Sequence, residues 1–283
     1  MARFSATTVA LAALALLNLL GTGPVPCAAD VALGTPASAQ NETLTMGAPS
    51  PSPPPPPPSA QDYFVGELPG MQLDTFNTTL RMHAGYVTVQ QPQDQQLFFW
   101  QFDATVRRDR NVLLIWLNGG PGCSSLDGLF LENGPLKVID KDHVAWNPYG
   151  WNQYADVLYV DQPAGTGFST GQIKDYAHTE TEIVERFLSF YDRYLEIFPQ
   201  HRDAELYFAG ESYAGTYLPY ITAAMLKRNE AAGRDIYRIQ SLLIGNGWID
   251  PLRQYAGYET FAVANGLLPL GTSYATLYQE RWA

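Results

Sequence analysis

The chain is poor in cysteine, histidine and cations, and each shortage removes a class of protein. Cys27 and Cys123 are the only cysteines among 283 residues, too few for a disulfide scaffold and without the Cys/His spacing that holds zinc. Neither a metal nor an organic cofactor is expected. Lys and Arg number 17 against 28 Asp and Glu, a net charge of -11. Neutralising a phosphate backbone requires clustered cations, so nucleic acid is excluded as a partner. The N-terminal apolar run, Val9 to Leu20 and interrupted only by Asn18, is shorter than the roughly 20 residues a membrane-spanning helix needs.

Charge is scarcest in residues 1–60, which hold only Arg3, Asp30 and Glu42, so 16 of the 17 basic and 26 of the 28 acidic residues lie from 61 onward. Arg3 precedes the small and apolar run, and Gly21, Gly23, Pro24 and Pro26 then break any helix. That layout predicts a secretory signal over 1–29, with cleavage after Ala29 or, by the small-x-small rule, after Ala39. Pro49 to Pro58 contains eight prolines and two serines, a polyproline II spacer with nothing to bury, within a linker over 30–60. Asn41-Glu-Thr43 and Asn77-Thr-Thr79 are glycosylation acceptors consistent with secretion.

Of the whole sequence 46% is hydrophobic and 13% aromatic, enough to bury a core over residues 61–283. Strands are expected at 97–100, 112–117, 157–160, 206–209 and 241–244. Four of these five are almost continuously apolar, as strands covered on both faces must be. Behind Thr179-x-x-Glu182, a capping box, Ile183, Phe187, Phe190, Tyr191, Tyr194 and Phe198 recur at helical spacing until Pro199. A second helix is expected from Ala214 to Ala232, with Tyr217, Ile221 and Met225 on one face and Gly233 past its end. Alternating strands and helices imply an α/β fold, a mostly parallel central sheet flanked by helices, with ligands bound beyond the carboxyl ends of the strands.

Two segments carry chemistry. Leu206-Tyr-Phe-Ala-Gly-Glu-Ser-Tyr-Ala-Gly215 runs from a strand through a tight turn into a helix, the context of a nucleophile elbow in which small neighbours let the backbone turn and expose the serine hydroxyl. Ser212 is the candidate nucleophile; taken alone, it could equally be a helix-capping serine. Upstream, Asn118-Gly-Gly-Pro-Gly-Cys-Ser-Ser125 follows a buried strand. Acyl transfer needs two N–H donors where the oxyanion forms, one from the residue after the nucleophile, Tyr213, and one from such a loop. A third glycine-rich stretch, Asp161 to Ser169, lacks Gly-x-Gly-x-x-Gly and Gly-Lys-Ser/Thr and is expected on the rim of the same site.

With Gly245-Asn-Gly-Trp-Ile-Asp-Pro251, these motifs resemble, in order, the serial motifs of the serine carboxypeptidases, over residues 63 to the end. Asp62-Tyr-Phe-Val65, Met82-His-Ala-Gly85 and Leu97-Phe-Phe-Trp100 most resemble fungal members that trim C-terminal Lys and Arg from precursors in the late Golgi. The resemblance implies the α/β-hydrolase fold and an exopeptidase acting on peptide or precursor C-termini in the secretory pathway, whether trans-Golgi, vacuole or outside the cell. It implies that Ser212 attacks the last peptide bond, that the Gly120 and Tyr213 N–H groups hold the oxyanion, and that Asn118, Gly119, Glu211 and Glu132 bind the substrate carboxylate. Glu132 is the family's second acid, hydrogen-bonded to the first. If the two share a proton, Glu211 is raised and donates to the substrate in acid. The family pairs the cysteine matching Cys123 with one farther along, and treats the Gly245 to Pro251 motif as structural.

One part of a serine hydrolase is missing from these residues. In the α/β-hydrolase order Asp and His follow the serine, yet His83, His143, His178 and His201 all precede Ser212, and the 71 residues after it hold Asp235 and Asp250 but no His. The expectation is an N-terminal portion of the catalytic domain, truncated at its C-terminus and inactive alone; a membrane anchor would have to lie beyond residue 283. A carboxypeptidase-like acyltransferase is a rival reading, disfavoured by Glu rather than Asp before the serine. A fragment that binds peptide C-termini without cleaving them is another. A lipase or esterase fits less well, because its oxyanion turn begins with His.

Overall fold

The computed structural model describes residues 57–66, 68–71, 80–89, 94–106 and 109–268. The expected signal segment, most of the proline-rich linker, Cys27 and the acceptors Asn41 and Asn77 lie outside the described residues. The strands are β1 (Phe64–Val65), β2 (Met82–Thr88), β3 (Gln96–Phe102), β4 (Val112–Leu117), β5 (Leu136–Val138), β6 (Val144–Trp146), β7 (Asp156–Val160), β8 (Glu205–Glu211) and β9 (Arg238–Gly245); the helices are α1 (Glu180–Ile197), α2 (Ala214–Ala232) and α3 (Pro251–Ala264).

Seven strands form one sheet in the order β1-β2-β3-β7-β4-β8-β9. β1, β2, β3 and β7 pair antiparallel in turn, whereas β7, β4, β8 and β9 run parallel. Successive side chains alternate between the two faces. Phe99, Leu113, Ile115, Leu117, Leu158 and Phe208 join α1 and α2 in one core, with Phe187, Phe190, Tyr194, Tyr217 and Ile221 among its members. Phe98, Trp100, Phe102, Trp116, Val157 and Tyr159 face the other way, onto Leu126, Leu129 and Phe130 and the β5–β6 hairpin.

The helix ends follow their sequence signals. Thr179 Oγ1 accepts from the Glu182 N–H at 3.3 Å, and Glu182 Oε2 accepts from the His178 N–H, one residue before the cap, at 2.8 Å. Gly233 closes α2 in the left-handed region at φ +64°, where a Cβ is unfavourable. All five expected strands are present, and β9, whose run opens on the polar Ser241, is the one not buried on both faces. Leu242 and Leu243 are 38% and 42% exposed. β9 is the edge of the sheet among the described residues, and only Ile239 and Ile244 lean on the helical core.

Candidate active site

β8 ends at Glu211, and the chain turns into α2 through Ser212, which is exposed and takes φ +57°. A left-handed conformation costs a non-glycine residue roughly 1–2 kcal/mol, so the surroundings must impose it. They do so at close quarters. A Cβ on Gly210 would stand 2.3 Å from the Leu117 carbonyl oxygen, and one on Gly215 would stand 2.8 Å from both Gly247 Cα and the Trp248 nitrogen. The Ser212 N–H donates to the Gly245 carbonyl at 3.0 Å, the Trp248 N–H donates to the Ser212 carbonyl at 2.8 Å, and Thr216 Oγ1 donates to the Trp248 carbonyl at 2.7 Å. The motif at 245–251 is thus structural in a specific sense: it clamps the elbow.

Gly119 lies directly against that elbow, its absent Cβ 2.4 Å from the Tyr213 nitrogen. Gly120 and Gly122 take φ +105° and +88°, so the turn after β4 is a glycine-dependent loop packed against the Tyr213 backbone, where an oxyanion site would need two N–H donors. Tyr213 is itself held by its side chain. Its hydroxyl donates to Glu180 Oε1 at 2.7 Å, its ring leans on Trp248 at 5.2 Å, and burial together with the Glu180 bond pushes the phenol up to about 12.

Parallel pairing sets the acidic end of the site. Leu117 lies opposite Gly210, so the next residues, Asn118 and Glu211, fall side by side. Asn118 is buried. Its Oδ1 accepts from Trp116 Nε1 at 2.6 Å and from the Gly128 N–H at 3.0 Å, which fixes the carboxamide so that Nδ2 donates to Glu132 Oε1 at 3.2 Å and Glu211 Oε1 at 3.3 Å.

The expected acid pair needs correcting here. The two carboxyls meet at one Asn118 nitrogen, but they are not both buried, since Glu211 is half-buried and Glu132 exposed. Glu132 is raised: partial burial raises it, the Asn118 bond opposes this, and the charges of Glu211 and Asp127 add to the rise. Asp127 is a third acid absent from the sequence-based site, raised by burial and then by Glu211.

The third glycine-rich loop buttresses the site more than it rims it. Asp161 is buried beneath the Asn118–Ser125 turn, where it accepts from Ser124 Oγ at 2.7 Å, the Ser125 N–H at 2.9 Å and the Phe168 N–H at 2.9 Å. Ser125 Oγ in turn accepts from the Asn118 N–H at 3.2 Å and donates to the Val160 carbonyl at 2.6 Å. Burial outweighs the three donors and pushes the Asp161 carboxyl up to about 6. Trp116 was legible in principle, since it lies two residues before Asn118 and so on the same face of its strand; Asp161 and Asp127 carry no comparable local signal. Cys123 is half-buried in the turn, its Sγ 3.1 Å from where a Gly120 Cβ would stand.

No histidine is hydrogen-bonded to Ser212. His143 pairs with Asp140 in the β5–β6 hairpin, and His178 precedes α1. His201 has a triad-like partner, its Nε2 3.0 Å from Asp156 Oδ2, but it precedes β8 whereas Ser212 follows it. Seven strand residues at roughly 3.3 Å each put the two about 20 Å apart. Among the described residues, no group of three or more His, Cys, Asp or Glu could hold a metal ion, and no helix is long and apolar enough to cross a membrane.

The family model described as "Serine carboxypeptidase" matches residues 69–280. The pheromone-processing carboxypeptidase KEX1 of Paracoccidioides brasiliensis (strain Pb03) is 42% identical over 229 residues, 80% of this chain and 36% of that protein. Its counterpart in Coccidioides posadasii (strain C735) is 44% identical over 220 residues, 76% of this chain and 34% of that protein. The crystal structure of Kex1(delta)p, a prohormone-processing carboxypeptidase from Saccharomyces cerevisiae, superposes with a TM-score of 0.70 at 35% identity, covering 78% of this chain and 51% of that one. The chain spans about a third of the length of the curated relatives it matches.

Proposed function

Because the chain belongs to the serine carboxypeptidase family and has its α/β-hydrolase fold, we propose that it carries the nucleophile and the carboxylate-binding half of a serine-type carboxypeptidase, one that processes peptide precursors in the secretory pathway and releases C-terminal residues, Lys or Arg first among them. Ser212 Oγ attacks the last peptide carbonyl, and its proton passes to a base. The Gly120 and Tyr213 N–H groups hold the oxyanion. As the tetrahedral species collapses, the C–N bond breaks and the departing amine takes the proton. Water then attacks the acyl-enzyme on Ser212, freeing the acid and regenerating the hydroxyl. An exopeptidase must also hold a free carboxylate, which falls to Asn118 and Gly119 with Glu211 and Glu132; a protonated acid here donates to the substrate, whereas an ionised one repels it.

The observation that carries this reading is the contact of a left-handed Ser212 with the Gly119–Gly120 turn, one residue from an Asn118 that spans two carboxyls. For residues 1–283 taken alone, one further observation favours binding without turnover: none of the four histidines reaches Ser212. The test uses peptides ending in Lys or Arg with a free or an amidated C-terminus. The free peptide is expected to bind the 283-residue chain at least tenfold more tightly. Equal binding would remove the carboxylate site. Rapid hydrolysis by the chain itself would overturn the second part.

A further inference from the structure

A buried polar chain closes the end of the sheet opposite Ser212. The Tyr194 hydroxyl, on α1, lies 2.7 Å from Gln101 Oε1 and 2.7 Å from His201 Nδ1. His201 Nε2 lies 3.0 Å from Asp156 Oδ2, and Gln101 Nε2 donates to Asp103 Oδ1 at 3.2 Å. Asp156 Oδ1 accepts from the Ala104 N–H at 2.6 Å. Gln101, Tyr194 and His201 are each at most 1% exposed, so water does not complete these bonds.

Every link requires one hydrogen between its two heavy atoms. The Gln101 carboxamide supplies the one facing Asp103, which leaves Gln101 Oε1 toward Tyr194 and commits the phenol hydrogen to it. The phenol oxygen can then only accept, so His201 Nδ1 carries a hydrogen. Nε2 carries the other, toward the Asp156 carboxylate. Turning Gln101 over moves the requirement without removing it, because its oxygen would then face Asp103, which would need the hydrogen instead. Either way the network holds one proton more than two carboxylates and a neutral imidazole. Arg81, with Nε 3.4 Å from Asp103 Oδ2, favours a carboxylate there and hence the proton on His201.

The other groups facing the network are accounted for. His83 Nδ1 lies 3.9 Å from Asp103 Oδ1, and burial holds that imidazole below its usual range. Burial and then the Asp156 charge raise Asp103, and the neighbouring His83, Arg81 and His201 oppose the rise. Tyr191, on α1, stays a neutral phenol because burial raises it.

We propose that the Asp103–Gln101–Tyr194–His201–Asp156 network is a proton lock: folding takes up one proton where β3, β7, α1 and the turn before β8 meet, so this end of the sheet is tight in acid and loosens as the pH rises. The sign follows from linkage. Where the native state binds more protons than the unfolded chain, stability falls with increasing pH. The unfolded imidazole releases its proton near pH 6.5, so the loss begins above that value.

Side-chain nitrogen NMR of the 283-residue chain tests this directly. At pH 7.5 one histidine is expected to keep hydrogens on both ring nitrogens, and its signals are to vanish in His201→Gln and shift in Tyr194→Phe. The unfolding equilibrium constant is expected to rise up to tenfold per pH unit above about 6.5, with at most half that slope in Tyr194→Phe, where His201 Nδ1 has lost its partner. A His201 ring with a single hydrogen at pH 7.5 would overturn the proposal even if the His201 variant failed to fold. So would equal slopes in the parent chain and Tyr194→Phe.

Discussion

The Trp248 N–H donates to the Ser212 carbonyl at 2.8 Å, so the candidate nucleophile is held in place by a residue 36 positions later that follows a different strand. The close approach on which that bond depends is set by glycines, which makes the clamp testable without reference to catalysis.

In an exposed helix Gly→Ala stabilises by about 1 kcal/mol. A Cβ on Gly257, in α3, would meet nothing within 4 Å, so Gly257→Ala is expected to gain about 0.5–1 kcal/mol. Gly215→Ala is expected to do the reverse, losing about 1–3 kcal/mol, because its methyl would meet Gly247 and Trp248. Urea unfolding of the two variants compares them directly, and a stabilised Gly215→Ala would refute the clamp.

The left-handed turn at Ser212 has its own signature. Ser212→Gly removes both the hydroxyl and the Cβ, whereas Ser212→Ala keeps the Cβ and its unfavourable backbone. After allowing for the greater flexibility of unfolded glycine, the Gly variant is expected to be more stable than the Ala variant by about 0.5–1 kcal/mol. Denaturation midpoints resolve a difference of that size.

Asp161 predicts a pH dependence in a lower window than the His201 network. Its carboxyl is raised from 3.8 to about 6, so the native state binds the proton more tightly than the unfolded chain. The contribution is complete below about pH 4 and is lost as the pH rises through about 6. The loss is about 3 kcal/mol. Asp161→Asn is expected to flatten the thermal stability profile between pH 4 and 6 while leaving the Tyr194-dependent slope above 6.5 unchanged.

Carboxylate binding should weaken as the pH rises, because partial burial, with the Glu211 and Asp127 charges, holds Glu132 above its usual range and an ionised acid repels the peptide C-terminus. Affinity for a free C-terminus is expected to drop on the order of tenfold, about 1.4 kcal/mol, as Glu132 ionises. Glu132→Gln is expected to bind at a nearly constant level across the same range. Calorimetric titrations at pH 4.5 and 7.5 are sufficient, and a Glu132→Gln profile identical to the parent would remove this acid from the site.

What local pattern encodes was legible in the residues themselves. The Thr179 cap, the left-handed stop at Gly233 and the apolar runs of β3, β4, β7, β8 and β9 depend on neighbours within a few residues, and the structure contains each of them, although Glu182 completes the cap by accepting from the His178 N–H rather than that of Thr179. The elbow at Gly210 to Gly215 and the turn at Asn118 to Ser125 were legible for the same reason, since their glycines answer to local backbone geometry.

Contacts set by strand order were not legible. The pairing of Leu117 with Gly210 places Asn118 beside Glu211, and only that register turns the expected acid pair into two carboxyls bridged by an amide. Asp161 gives no sign in its own motif that it sits beneath another. The exposure of Leu242 and Leu243 contradicts their apolar run because burial is decided by what packs against a strand, not by its composition. Sequence alone determined β3, β4, β7, β8, β9, α1 and α2, the two chemical motifs, and that residues 213–283 hold no histidine. Tertiary structure decided which residues the motifs meet, and it put the His201–Asp156 pair at the far end of β8, because a seven-residue strand is rigid and its two ends cannot share one site.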